Sequence, residues 1–326
     1  MSNLNSDLMQ NMSFVRPEYF YISGFSGIPF TKYYFIFLFF TYIIAVFGNS
    51  FVIFIILTDR NLHIPKYIGI FWLALADFGE TNALIPNLMK TFLFDSQYIS
   101  YNACLANMFF VFFFSNVQAL TLVVLAYDRF IAICLPLRYH AIVNNSIMTL
   151  ALFTAWSFCT ALVGTTVALI TRLSLCKSNV VKSYFCDHGP IYTMACNDNT
   201  INSVMGKLCT VLFLYAPLIA IVVSYLGILL ALCRITTWAG RLKALKTCVS
   251  HLLVVGVFFL PSISTNIATL FFTLHPNARI INTSLSLAIP PMLNPIIYVL
   301  NTKEFKDFIL KMLKQRAGSR ARVLAK

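Results

Sequence analysis

Asp128 and Arg129 stand side by side at the end of an apolar run, from Asn102 on, that carries no other charge. An ionised side chain in the middle of a bilayer costs several kcal/mol or more, so such a pair is functional or lies at an edge. A carboxylate beside a guanidinium suits either a snorkelling interfacial pair or a latch, with Asp128 holding Arg129 until helices rearrange. Two further carboxylates, Asp77 and Glu80, are three residues apart in LALADFGETNALIP, residues 73 to 86. That spacing puts both on one helix face. A buried carboxylate needs hydrogen-bond donors or a cation, and Asn49 and Asn294 are polar residues in other apolar runs that could pack beside Asp77. A third set is Cys104 with Cys176, Cys186 and Cys196, and His188 nearby. Four cysteines allow three disulfide pairings. A zinc site is disfavoured because no C-x-x-C pair is present. No Gly-x-Ser-x-Gly, His-Glu-x-x-His or phosphate-binding Gly-rich loop occurs, so enzyme chemistry is not expected.

The elements that position these groups follow from composition. The chain is 59% hydrophobic and 11% charged, less than half the charge of an ordinary soluble domain. Seven apolar runs, about 32–58, 65–92, 102–136, 146–170, 201–234, 241–272 and 279–301, are each long enough to cross a bilayer as a helix. The expected fold is an all-α membrane protein, a seven-helix transmembrane bundle. Residues 1–31 form an N-terminal arm, 32–301 the membrane domain, and 302–326 a surface helix and basic tail. In KEFKDFILKMLK, Phe305, Phe308, Ile309 and Met312 recur at helical spacing among lysines, as in a helix lying on a membrane.

Basic residues set the orientation. Sixteen of the 24 lie on one side: Arg60, Lys66, Arg129, Arg138, Arg234, Arg241, Lys243, Lys246 and eight from Lys303 on. That side is expected to be cytoplasmic, with the N-terminus outside and the C-terminus inside. The net charge of +13 then reflects topology and anionic lipid, and nucleic acid is not an expected partner. The arm lacks a cleaved-signal pattern, so the first helix is expected to direct insertion. Asn11-Met12-Ser13 is a glycosylation acceptor on the outer side; Asn144 also fits but falls on the inner one. Cys104 to Asp128 spans roughly 36 Å of helix, against a hydrocarbon core of about 30 Å. The charged pair therefore emerges at the inner surface.

Seven spans with Asp-Arg closing the third resemble a class A, rhodopsin-like G-protein-coupled receptor. Gly48-Asn49, Asp77 in LALAD, Trp156, Pro217 with Tyr225, and NPIIY (294–298) fit in order and spacing. Within that class the chain resembles an odorant (olfactory) receptor. LAYDRFIAICLPLRY is close to MAYDRYVAICxPLxY, KALKTCVSHL (243–252) to KAxxTCxSH, PPMLNPIIY to PxxNPxIY, and LHIPKY to LHxPMY with Lys66 replacing Met. ISGFSGIP and Pro261 lean to the class I, fish-like branch. The resemblance runs from about residue 20 to residue 312.

The resemblance implies a plasma-membrane receptor of sensory cilia. It would bind a small odorant in the outer half of the bundle and activate a stimulatory, olfactory-type heterotrimeric G protein to raise cyclic AMP. It pairs Cys104 with Cys186 and Cys176 with Cys196. It assigns activation to Asp128, Arg129, Tyr225, His251, Asn294, Pro295 and Tyr298. The polar core is Asn49, Asp77 and Asn294, where a sodium ion is the one cofactor allowed for; no other is expected. Ligand-facing positions are Val111, Phe112, Ser115, Asn116, Ala119, His188, Cys209, Phe213, Phe259, Ser262, Ile263 and Asn266. Val111 stands where amine receptors carry aspartate, and Leu270 where some class I members carry an acid-binding arginine. Arg279, Lys207 and Lys90 are the substitutes for that arginine. A small, largely apolar ligand with one or two hydrogen-bonding groups fits this set. The competing readings are a class A receptor for a metabolite or hormone and, more distantly, a channel or transporter. The latter predicts two related halves, which the chain lacks.

Overall fold

The computed structural model describes residues 15–25, 30–94, 96–234, 237–271 and 276–311. Asn11 and Met312 lie outside them, as do the side chains of Lys243, Lys246 and Leu270. Among the described residues, seven long helices are apolar enough to cross a membrane. They are α1 (Thr31–Thr58), α2 (Pro65–Phe94), α3 (Tyr101–Cys134), α4 (Asn145–Thr171), α5 (Thr200–Arg234), α6 (Trp238–Phe271) and α7 (Pro276–Asn301). The expected seven-helix bundle is thus the observed one, with most ends shifted by one to three residues.

Apolar content makes these segments helical, because unpaired backbone groups are not tolerated in lipid. Large apolar side chains such as Phe40, Phe47, Leu57, Leu226 and Leu230 remain on the outside of the bundle. Between helices the driving force is close packing rather than hydrophobic burial. Gly48 is one device for it: a Cβ there would stand 2.7 Å from Pro295 Cγ, so only glycine lets α1 reach the proline-rich part of α7. Gly79 does the same on α2, where an added Cβ would meet the Phe114 ring.

Two features depart from a bundle with plain loops. A three-stranded sheet, ordered β2-β1-β3, joins β1 (Tyr19–Ile22), β2 (Tyr98–Ser100) and β3 (Val180–Val181). β1 runs antiparallel to β2, with Phe20 opposite Ile99, and parallel to β3, with Tyr21 opposite Val180. Its alternation drives Phe20 and Ile22 into a cluster with Cys104, Met108, Cys186 and Ile191. The arm is therefore fixed onto the loop between α4 and α5. A short helix, His188–Tyr192, follows in that loop, capped by Asp187, which accepts from Gly189 N.

The second feature is a π turn, Val211–Tyr215, inside α5. Such turns concentrate at functional sites, and this one carries Phe213 inward. At the opposite end, residues 303–311 are helical, where a helix lying on the membrane is expected. Phe305 is fully buried there, its ring 5.6 Å from that of Tyr67 at the start of α2.

Candidate functional site

At the sheet end of the bundle, Cys104 and Cys186 form a disulfide with Cα atoms 5.4 Å apart, and Cys176 and Cys196 a second at 5.9 Å. Asn107 reinforces the first. Its amide donates to Ala83 O at 2.8 Å and its carbonyl accepts from Cys186 N at 3.1 Å, so α2, α3 and the loop share one side chain.

Beneath this lid lies a cavity of about 590 Å³ among α3, α4, α5, α6 and the loop, in the range of small-molecule sites. Phe112, Ser115 and Asn116 line it from α3, Cys209 and Phe213 from α5, Ser262 and Asn266 from α6, and His188 from the loop. Four of the positions expected there lie elsewhere. Val111 is packed with Leu84, Ile85 and Phe185, while Ala119 and Phe259 are buried with Leu122 and Tyr225, and Ile263 packs against the same cluster. The cause is angular: one residue turns a helix by about 100°, so Phe112 and Phe258 face the cavity where Val111 and Phe259 do not. Ala119 is on the right stripe but one turn below the floor.

Several lining residues have no marker in the sequence. Val163, Thr166 and Val167 belong to α4, which is apolar nearly all round, and Thr166 Oγ1 lies 3.6 Å from Cys209 Sγ. A stripe on α5 (Ser203, Gly206, Thr210, Phe213) was readable from helical spacing. Of the cations considered at this level, Lys207 and Arg279 line the cavity, whereas Lys90 is exposed and does not.

The lid's polar groups are tuned by burial. His188 is buried, which pushes its imidazole down to about 4 and leaves it neutral at physiological pH. Its Nε2 has no hydrogen-bond partner among the described residues, and its ring packs against Tyr192, centroids 5.1 Å apart. Burial raises the neighbouring Asp187 carboxyl above its usual range, and the Arg279 guanidinium partly offsets that.

Below the cavity, Asn294 Nδ2 donates to Asp77 Oδ2 at 2.8 Å, joining α7 to α2. Asn49 reaches α7 separately, donating to Pro291 O at 2.8 Å. Gln118, which carries no role in the sequence analysis, donates from Nε2 to Glu80 Oε2 at 2.6 Å. A second amide two residues after Asn116 in an apolar run was the available signal. One side-chain oxygen each of Asn49, Asp77, Glu80, Gln118 and Asn294 is buried without a hydrogen-bond partner among the described residues.

At the far end, Asp128 is 1% exposed and holds two groups: Arg129 Nη2 at 3.3 Å and the Tyr139 hydroxyl, which donates to Oδ1 at 2.7 Å. Tyr225 is not against Arg129. Its hydroxyl meets His251 Nδ1 at 2.8 Å, and His251 Nε2 lies 3.1 Å from Leu122 O. A carbonyl only accepts, so Nε2 carries the proton and Tyr225 donates to Nδ1. Tyr298, beside Pro295 and Asn294 on α7, is buried with an unpartnered hydroxyl. Asp128, Arg129, Tyr225 and His251 are thus each held by another group of the protein at this end.

Comparison with known proteins accords with this geometry. The olfactory receptor family model matches residues 38–316. Human olfactory receptor 52Z1P is 35% identical over 83% of this chain and 91% of its own length, and human olfactory receptor 51E2 is 35% identical over 84% and 86%. Human olfactory receptor 51F2 is 32% identical over 94% and 90%. The crystal structure of squid rhodopsin superposes with a TM-score of 0.72 at 16% identity, covering 88% of this chain and 87% of that one, a likeness of fold. A multi-pass plasma-membrane protein with these relatives is a receptor and not an enzyme, and the chain belongs to the olfactory receptor family of rhodopsin-like G-protein-coupled receptors.

Proposed function

We propose that a small odorant, largely apolar with one or two hydrogen-bonding groups, binds in the cavity under the lid. Its binding releases Arg129 to a stimulatory, olfactory-type G protein, which raises cyclic AMP. The observation that carries this reading is the cavity itself: of drug-like volume, with Ser115, Asn116, Ser262 and Asn266 set among Phe112, Phe213 and Phe258. The sheet end faces outside and the Arg129 end the cytoplasm, in line with the distribution of Lys and Arg and with disulfides needing an oxidising compartment. Sensory cilia are the expected location. A sodium ion is the guest that the carboxylates of Asp77 and Glu80 and the amide oxygens around them would take.

The test is a cyclic-AMP screen of cells expressing the full chain against acids, amines and neutral volatiles. For the most potent odorant, Asn116→Leu and Phe213→Ala should each raise the half-maximal concentration about tenfold, equivalent to about 1.4 kcal/mol, at unchanged surface level. If neither moves it, the ligand binds elsewhere. A second expectation concerns the latch. Tyr139→Phe removes one of the two partners of Asp128, a hydrogen bond worth about 1 kcal/mol. Ligand-independent cyclic AMP should rise roughly two- to fivefold; a basal level equal to the parent's would show that Tyr139 does not restrain the pair.

A further inference from the structure

The outer face of the three-stranded sheet has a chemistry of its own. Alternation along β1 sends Phe20 and Ile22 into the lid cluster, so Tyr19 and Tyr21 point the other way. Tyr98 of β2 stands opposite Tyr21 and shares that face. Tyr19 and Tyr98 are 48% and 59% exposed. The Tyr21 ring meets Tyr98 edge-on, centroids 5.4 Å apart, which steadies the Tyr98 side chain. Tyr19 is opposite Ser100, so Tyr98 is its diagonal neighbour across the strands, about 7–8 Å away. A hollow of about 490 Å³ opens here, lined by Pro17, Glu18, Tyr19, Tyr98 and Asn179. None of these five is basic, and Glu18 has no ion-pair partner among the described residues. Arg16 is engaged on the inner side. It donates to Thr171 O at 2.9 Å, and its guanidinium is 5.7 Å from the centre of the Tyr101 ring, which stacks on Phe20.

We propose that this hollow is a second binding site, separate from the odorant cavity, for a quaternary ammonium group. The face of an aromatic ring attracts a cation within about 6 Å of its centre, and two rings about 7–8 Å apart put a trimethylammonium group within that reach of both. A methylated cation has no hydrogen to donate, so rings with one carboxylate suit it better than they suit a strongly hydrated ammonium or metal ion. Anions are repelled by Glu18. Tyrosines at a membrane surface are ordinary, but an unpaired carboxylate set beside them is not needed for that. The hollow takes residues from the arm, from β2 and from the loop between α4 and α5. An occupant therefore ties from outside the same three segments that Phe20 and Ile22 hold from inside.

The experiment is saturation-transfer NMR on the full chain in phosphatidylglycerol nanodiscs, reading transfer to the methyl protons of choline over a concentration series. Choline should bind about fivefold or more tighter than its neutral analogue with carbon in place of nitrogen, since only the charge separates them. Tyr19→Ala and Tyr98→Ala should each weaken choline about two- to fivefold, and together about tenfold. Tyr98→Phe keeps the ring and should stay within about twofold. Glu18→Gln should weaken choline about twofold at low salt, a difference that about 1 M sodium chloride removes. Repeating the series in phosphatidylcholine discs separates the two sources of the group: a lost signal assigns the site to lipid headgroups, a retained one to soluble cations. Absence of transfer to choline, or equal binding of the neutral analogue, would overturn the proposal in the parent chain itself. Unchanged affinity in the double tyrosine variant would overturn it as well.

Discussion

Replacing Arg129 by alanine should abolish the cyclic-AMP response at every odorant concentration while leaving surface receptor within about twofold of the parent. The loss should exceed a hundredfold, because the guanidinium is the strongest multi-donor group at this end and is held ready rather than spent. Arg129 is 9% exposed, its ion pair to Asp128 is 3.3 Å long, and Asp128 keeps Tyr139 when Arg129 is gone. Removing one partner of a buried pair costs about 3–5 kcal/mol; the Tyr139 hydrogen bond and access to water at the bundle end reduce that cost, so folding survives. Arg129→Lys separates charge from shape. It keeps the cation but loses the planar fork, and should recover only a small part of the response. An unchanged response in Arg129→Ala would reduce the residue to an interfacial charge.

Cys104→Ser should remove nearly all receptor from the cell surface. The bridge to Cys186 closes 82 residues of sequence, the bridge from Cys176 to Cys196 only 20. In the chain-entropy account these correspond to about 4.5 and about 3.3 kcal/mol. The longer bridge also holds more. Phe20, Ile22, Met108 and Ile191 pack around its sulfurs, and Asn107 is placed to bond Cys186 N only while the loop is tied down. Cys176→Ser should therefore leave a measurable fraction at the surface under conditions where Cys104→Ser leaves almost none. Flow cytometry on an N-terminal tag reads both; parental levels and signalling in Cys104→Ser would sink the assignment.

The spans were legible because bilayer thickness imposes one length on every apolar run, and Asp128–Arg129 because the end of such a run is a surface. The α3 face was legible in part. Ser115 and Asn116 are polar residues on an apolar helix, whereas Val111 and Phe112 differ only in angle, which depends on how α3 leans against α2 and the loop. The α4 contribution could not be read, since Val163 and Val167 look like any lipid-facing valine. Nor could β1. A four-residue strand has no periodicity of its own, and its partners Ile99 and Val180 are far along the chain. Partner choice for Tyr225 was hidden for another reason. His251 is 26 residues further along on another helix, and which side chain Tyr225 meets depends on how α5 and α6 pack.

The parallel pairing of β1 with β3 also sets a timetable. Tyr21 waits for Val180, roughly 160 residues later, which at ordinary synthesis rates of about 5–20 residues per second is roughly 8–30 s. The arm can meet β2 once two helices are made, but four must enter the membrane before β3 exists to pair with it, and Cys186 arrives later still. The roof of the cavity thus joins an arm made first to a loop made only after the fourth helix, and a nascent chain whose arm misses that appointment has an incomplete lid.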